Sequence, residues 1–454
     1  MTKVKGKWVL PVLLVIILVL SYFSLYGFRT QYADIVTTHI SGIRGVNGGQ
    51  TLDGKVGLTF YPTENAKSVT DKQLNEAAEI MKARLYLSYN ISDADFYIDY
   101  VEKTISVSYG WDGMAVMGNP NLVATRLGGK GVFSLRAGTK ATDEVLIDET
   151  HLKKVDTLTA NGITYVSFHF DSEGRELLEQ ATMKKVGQSI AVWIDGNAEG
   201  SVKVSDIISD GVLTFQMAET KEQSEVIVNT LMMDQSPISM TASTYFYDAP
   251  ALGTGNSDLF MLIAIIVFFV LIAVVLIVKF KLAGVAAAAA VLGYIAFFVA
   301  SATDVFSLLN TFIVTPANLL AFAVTVALLI YTMIFTINNI KARTDAGYAV
   351  KTAFKEGQRS TLKNVILVNL FVLIVGFALY GLFGFGPSFA AKIFTPFTFF
   401  LSLNGNIAVA EFAKILMFGV LGNVIFGIII YRLMLISVRG SRYFAVSKGG
   451  NENE

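Results

Sequence analysis

The stretch LFMLIAIIVFFVLIAVVLIV, Leu259–Val278, carries no polar side chain and is as long as a helix must be to cross the hydrocarbon core of a bilayer, about 20 residues. Four more apolar runs follow it closely: Leu282–Ala302, Ala317–Ile337, Val365–Phe383 and Phe412–Ile436. A sixth, Trp8–Phe28, stands alone near the start. Six spans predict a polytopic membrane protein with a single large soluble segment, residues 29–257, between the first span and the second. A cleavable signal peptide shares the basic start and the apolar run, but its core is about 7 to 15 residues. Here Tyr22, Phe23, Tyr26 and Phe28 prolong the run, so the first span is expected as an uncut anchor.

Basic residues sort to one face, which sets the expected orientation because cytoplasmic loops retain Lys and Arg. Lys3, Lys5 and Lys7 precede the first span, and Lys279 and Lys281 follow the second. Lys341, Arg343, Lys351, Lys355, Arg359 and Lys363 fill the loop after the fourth, and Arg432, Arg439, Arg442 and Lys448 close the chain. On the other face, residues 303–310 have no basic side chain and the last loop has only Lys392. The expected organisation is a cytoplasmic N-terminus (1–7), a first transmembrane helix (8–28), an extracytoplasmic domain (29–257), five helices over 258–437, and a cytoplasmic tail (438–454). Within the helical part, loop 338–364 is expected in the cytoplasm and an aromatic loop, 385–411, outside.

The 36 basic and 36 acidic residues cancel, so composition implies no attraction to nucleic acid. Cysteine is absent, which excludes disulfides, thiol catalysis and thiolate metal sites. His39, His151 and His169 are the three histidines, too few and too scattered for a zinc site. No Gly-x-x-x-x-Gly-Lys loop occurs, so nucleotide hydrolysis has no support. Asp53, Asp95, Asp99, Asp112, Asp171 and Asp195 fall mostly at turns, where aspartate satisfies backbone donors. No enzymatic activity, cofactor or metal is expected.

Two successive segments of the soluble region carry the same order of patterns. In the first, strand 55–61 precedes a helix opened by a Thr70/Gln73 capping box, with Leu74, Ala77, Ile80, Met81 and Leu85 at helical spacing. Strands 96–101 and 104–110 then flank a Glu102-Lys103 turn, before a helix at 122–127 and a strand at 132–137. The second segment reads as strand 164–170, helix 173–186, strands 189–194 and 211–216, helix 221–233 with a Thr220/Gln223 box, and strand 237–243. Each is the strand-helix-strand-strand-helix-strand order of a ferredoxin-like unit, which predicts a two-lobed α+β domain. Pattern alone leaves open whether the lobes are consecutive or one is inserted in the other. Met114–Met117 and Leu231–Met233 suit either a lobe core or contact with an unfolded chain.

Several of these residues resemble SecD, the protein-export accessory subunit of the Sec system within the resistance-nodulation-division superfamily. The likeness rests on Val166-Ser167-Phe168 running into Asp171-Ser172-Glu173-Gly174, then Val186-Gly187-Gln188 and Ile190-Ala191-Val192-Trp193-Ile194-Asp195-Gly196. Leu52-Asp53-Gly54 with Val56-Gly57-Leu58 is similar to the family's glycine-rich opening, and Arg84 to its helix arginine. In the membrane, residues 337–357 with Ala346-Gly347 and Glu356-Gly357, Asn369, and residues 412–432 with Gly419 and Arg432 fit without a gap. The resemblance covers roughly residues 50–437. It implies six transmembrane helices of the resistance-nodulation-division type, a two-lobed ferredoxin-like extracytoplasmic domain, and a role in polypeptide translocation. The partners it implies are a separate SecF-like subunit, the SecYEG translocon, a YidC-like insertase, an unfolded polypeptide client and membrane lipid. It also implies lobe movement about a hinge near residues 248–257.

Both membrane aspartates of the family are missing. Tyr331-Thr332-Met333 stands where an Asp-Ala-Asn cluster belongs, and Leu367 where a second aspartate belongs. None of the six runs contains Asp, Glu or His; Asp304 and Glu411 lie at outer edges and Lys414 just inside the last run. A relay needs groups that titrate near neutral pH, so proton coupling through this chain alone is not expected. The polar residues left are Asn318, Thr325, Tyr331, Thr332 and Thr336, with Asn369 and Asn423. Thr325, Tyr331, Thr332, Asn369 and Asn423 form the candidate membrane cluster, either a remnant of the relay facing a partner's acid or interhelical hydrogen-bond glue. Loop 385–411, with Phe389, Phe394, Phe397, Phe399 and Phe400, reads as an interfacial or re-entrant hairpin or as a partner contact. Residues 345–357 read as an amphipathic helix on the inner surface. Outside export, the same features fit an uncoupled scaffold or holdase, or a small-molecule or lipid exporter of the superfamily.

Overall fold

The computed structural model describes all residues except 1–7, 90, 111–119, 219–220, 244, 254–255, 304, 307, 310–311, 384–406, 440–443 and 445–454. Two compact units divide the chain: a β-rich domain, Gly54–Ala249, and a helical unit built from the residues before and after it. The helical unit opens with helix α1 (Val9–Tyr26). An antiparallel ribbon of β1 (Phe28–Tyr32) and β2 (Ile35–Ile40) follows it. The chain turns into the ribbon at Gly27, whose φ of +80° is readily available only to glycine.

The first lobe of the β-rich domain begins with β3 (Lys55–Pro62) and helix α2 (Asp71–Tyr89). The expected capping box forms: Thr70 N–H donates to Gln73 Oε1 at 3.0 Å and Gln73 N–H to Thr70 Oγ1 at 3.3 Å. Next come β4 (Asp95–Asp99), β5 (Thr104–Gly110) and helix α3 (Pro120–Gly128). The β4–β5 connection is longer than the Glu102-Lys103 pair, because the Asp99 carboxylate ends the strand by accepting from the N–H groups of Val101 and Glu102. Leu74, Met81 and Leu85 from α2 and Val123 and Leu127 from α3 are buried against Leu58, Phe60, Ile105 and Val107 of the sheet.

The chain then enters a second lobe, made of β6 (Phe133–Arg136), β7 (Val145–Asp148), β8 (Leu152–Ala160), β9 (Ile163–Phe170), α4 (Ser172–Lys185), β10 (Ser189–Ile194), β11 (Asn197–Lys203), β12 (Val212–Phe215) and α5 (Lys221–Met232). Its strands form two antiparallel sheets, ordered β11-β10-β6-β7 and β12-β9-β8. The sheets share one core, in which Phe133, Phe168 and Phe215 stack at 5.5 and 6.1 Å and Leu178 of α4 and Ile227 of α5 are buried. Finally β13 (Met240–Ala242) and β14 (Phe246–Asp248) return to pair with β3.

Strand pairing shows how the two segments close. The first sheet has the order β13-β3-β5-β4, the arrangement expected of a ferredoxin-like unit, but its last strand is 240–242 and not 132–137. Strand β6 pairs instead with β10 in the second lobe, so the second lobe is inserted between α3 and β13. The second segment does not form a ferredoxin-like unit, since its strands 163–170 and 189–194 lie in different sheets. Gly131, at φ +85°, turns the chain from α3 so that Phe133 and Leu135 enter the second core. Leu231 packs against the second core. Thr220 and Met114–Met117 lie outside the described residues.

The connection between the lobes is clamped. Arg84, buried on α2, donates from Nη1 to the carbonyls of Arg126 (2.9 Å), Leu127 (3.2 Å) and Gly129 (2.6 Å), and from Nη2 to that of Lys130 (3.2 Å). It thereby satisfies the free carbonyls at the end of α3, where a cation also meets the negative end of the helix dipole. From the other side, the Asp195 carboxylate accepts from the N–H groups of Gly131 (2.8 Å) and Val132 (3.0 Å). Burial lowers the Arg84 pKa and Asp195 opposes that shift; the guanidinium stays protonated. The glycines here are steric requirements: a Cβ on Gly128 would meet the Met240 carbonyl, and one on Gly129 the Asp195 carboxylate. Asp195 and Gly196 are both at positive φ and form the two-residue turn of the β10–β11 hairpin. Arg84→Met is expected to cost about 3 kcal/mol by stranding the buried carbonyls of Leu127 and Gly129, while that of Lys130 keeps the N–H of Ser236. Hydrogen exchange in the full chain should then show faster exchange in α3 and β13 with little change in the membrane helices; unaltered protection would remove the clamp from this account.

The helical unit resumes with α6 (Ser257–Phe280), α7 (Leu282–Ala302), α8 (Pro316–Asp345), α9 (Val350–Phe383) and α10 (Ile407–Gly422). A π-helical segment, Asn423–Ile430, and α11 (Tyr431–Ser437) continue α10 to the end of the last span. Among the described residues, six helices are thus long and apolar enough to cross a membrane. The alanine-rich α7 is buried along nearly its whole length, and α1, α6, α8 and the last span all contact it. Residues 345–357 do not form a separate surface helix. From Val350 they are the start of α9, because Phe354 packs edge-to-face on Phe444 at 4.8 Å and Gly357 lies against Ile340 of α8. The aromatic residues of loop 385–411 fall outside the described residues.

Candidate functional site

The uncharged polar residues of the membrane helices meet in two places. In the first, Tyr294 of α7 donates its hydroxyl to Thr325 Oγ1 of α8 at 2.6 Å, and Thr325 donates onward to the Phe322 carbonyl at 2.7 Å. In the second, the Asn423 amide donates to Thr332 Oγ1 of α8 at 2.9 Å and to Asn369 Oδ1 of α9 at 3.1 Å. Asn369 donates to its own helix at the Val365 carbonyl, and Thr336 to the Thr332 carbonyl. Thr325, Thr332, Thr336, Asn369 and Asn423 are all buried.

Glycine makes these contacts possible. A Cβ on Gly419 would meet the Thr325 side chain, one on Gly422 the Tyr294 ring, and one on Gly427 the Asn423 amide oxygen. The last span therefore approaches α7 and α8 closely, the usual role of small residues between membrane helices. The π-helical segment begins at Asn423, and such segments are frequent at functional positions. Asn423 Oδ1 is buried without a hydrogen-bond partner among the described residues.

The expected cluster is thus brought together in part. Thr332, Asn369 and Asn423 share one hydrogen-bonded knot, and Thr325, on the same face of α8, bonds to Tyr294 instead. Tyr331 and Leu367 point away, 44% and 66% exposed, and the Tyr331 ring stacks on Phe335 at 5.7 Å. Tyr294 was not among the expected residues. Its signal was its place as the one hydroxyl-bearing ring in a helix whose other polar side chain is Ser301 near the end. Glu411 lies in the first turns of α10, which starts at Ile407; it is buried and pairs with Lys414 at 2.7 Å. Asn318 donates to the Ile313 carbonyl at the start of α8 and does not join the knot.

Chemically, the knot offers neutral donors and acceptors and no group that ionises near neutral pH. No cluster of three or more His, Cys, Asp or Glu side chains able to hold a metal occurs among the described residues.

No family model matches the chain. It is similar to protein translocase subunit SecD of Borreliella burgdorferi, with 22% identity over 408 residues covering 87% of this chain and 61% of the relative. The chain resembles SecD. A crystal structure of SecDF in its super-membrane-facing form aligns at a TM-score of 0.62 with 16% identity, covering 95% of this chain and 58% of that one. The fold, membrane helices together with a β-rich domain, is therefore shared with part of SecDF. This SecD-like chain spans about three fifths of the length of the curated relative it matches. Its six apolar helices and the SecD likeness make it a multi-pass membrane protein.

Asn423→Ala removes two interhelical hydrogen bonds. It is expected to destabilise the helical unit by about 1 kcal/mol, within the range measured for such contacts. Thermal unfolding in micelles would show a lower midpoint, whereas Tyr331→Phe, at an exposed position, should leave the midpoint unchanged.

Proposed function

We propose that this chain is a SecD-like accessory subunit of the Sec protein-export machinery. It assists a polypeptide on the outer side of the cytoplasmic membrane without catalysing a reaction. Both termini are cytoplasmic and the β-rich domain is extracytoplasmic in this reading, as the distribution of lysine and arginine supports. The observation that carries it is the similarity to SecD over most of the chain, which includes both the domain and the membrane helices. A SecF-like subunit and the SecYEG translocon are the proposed partners. The exposed face of α8 and α9 that carries Tyr331 and Leu367 is the proposed seat of the SecF-like subunit. Two well-packed lobes suit a domain that moves as a body about its connections to the membrane helices, near residues 248–257.

The fully neutral knot favours a second reading, a scaffold or holdase that assembles membrane complexes without proton coupling. Export from membranes containing the chain and its partners separates the two. With Tyr331→Asp and Leu367→Asp together, export should become more sensitive to collapse of the proton gradient than with the unaltered chain. Full export with unaltered sensitivity would show that these positions are not a lost relay and would favour the scaffold.

A further inference from the structure

A cleft of about 140 Å³ opens between α6 and α8 over the end of α7, at the end of the bundle where residues 42–53 return to the helices. Its walls are apolar throughout and include Ile43, Phe260, Ala264, Val299, Leu319 and Phe322. A closed cavity of about 150 Å³ with similar walls stays dry and takes one benzene ring, so this cleft has room for a short run of methylenes. It is not sealed: Phe260, Ala264 and Leu319 are exposed at the surface of the bundle, the surface that lipid covers in a membrane.

Charge sits beside the same walls. Arg44 lies between the lining residues Ile43 and Val46, and Asp258 two positions before Phe260. Arg44 Nε and Asp258 Oδ2 are 3.9 Å apart, beyond hydrogen-bond distance, and their side chains are 50% and 34% exposed. Among the described residues no hydrogen bond engages the Arg44 guanidinium, so its Nη groups are free to donate. A cation and an anion side by side at the rim of an apolar cleft complement a headgroup that itself carries both charges.

We propose that this cleft is a binding site for a phospholipid with an amine-bearing headgroup, of the phosphatidylethanolamine class. A short run of methylenes from one acyl chain occupies the cleft, the phosphate meets Arg44, and the ammonium meets Asp258. Arg44 belongs to the segment that leads into the β-rich domain, so occupancy would pin that segment to the helices. The site stands independently of the export reading, because its readout is lipid binding.

The test is native mass spectrometry of the full chain released from micelles containing equal amounts of dioleoyl phosphatidylethanolamine and dioleoyl phosphatidylglycerol. The expected result is one retained phosphatidylethanolamine per chain in preference to phosphatidylglycerol. Arg44→Gln should lower its retention about tenfold, the effect of one lost charged contact. Ala264→Phe, which fills the mouth from the exposed wall, should abolish it, and Asp258→Asn should shift the preference towards phosphatidylglycerol. Arg44 and Ala264 are both exposed, so neither change disturbs buried packing. Equal retention of the two lipids, or retention unchanged by both Arg44→Gln and Ala264→Phe, would overturn the proposal. So would a dimer of the chain that Ala264→Phe dissociates, since the cleft would then belong to a second copy.

Discussion

Inside a bilayer no water is available to a polar group, so one left without a partner in the protein is costly. That constraint shapes the helical unit. Asn423 and Asn369 are costly side chains to place between membrane helices, and they are tolerated because the last span comes close enough to α8 and α9 for them to bond each other and Thr332. The approach depends on Gly419, Gly422 and Gly427, and on a π-helical segment that starts at Asn423. Around this contact the buried α7 supplies a smooth wall of alanines, with Tyr294 as its one strong donor to α8.

The β-rich domain meets the same requirement with charge. The linker between its lobes has backbone groups that no sheet or helix satisfies, and Arg84 and Asp195 take them from opposite sides. In the membrane the equivalent work falls to neutral amides and hydroxyls, because the desolvation of an unpaired ion there is too large. Glu411 illustrates the exception, buried in the first turns of α10 with Lys414 beside it.

Much of this was legible in the sequence. The apolar runs located all six helices, because a span depends on composition over about 20 residues and hardly on tertiary contacts. Strands β3, β4, β5 and β13 of the first lobe were also legible, and so was its capping box, whereas β14 was not. What failed was pairing. Strand 132–137 alternates as well as strand 240–242 does, but it pairs in the second lobe, where Phe133 and Leu135 are buried and the turn at Gly131 and the clamp at Arg84 and Asp195 hold the chain. Strand β8 was missed although Asn161-Gly162, both at positive φ, marks its hairpin with β9. In the membrane, residue types named the cluster, but helix rotation sorted it, turning Thr332 and Asn369 inward and Tyr331 and Leu367 outward. Tyr294 escaped because a tyrosine in an apolar helix reads as packing until its partner on another helix is known.

Function then turns on what covers the face that carries Tyr331 and Leu367. In the proposed export reading, a chain without ionisable groups at these positions depends on a partner for any coupling to the proton gradient. The most direct measurement is crosslinking of the chain in its native membrane followed by mass spectrometry of what is recovered with it. Recovery of a SecF-like subunit, crosslinked to α8 or α9, together with translocon components is the expected result. Recovery of the chain alone, or with membrane proteins unrelated to export, would contradict it.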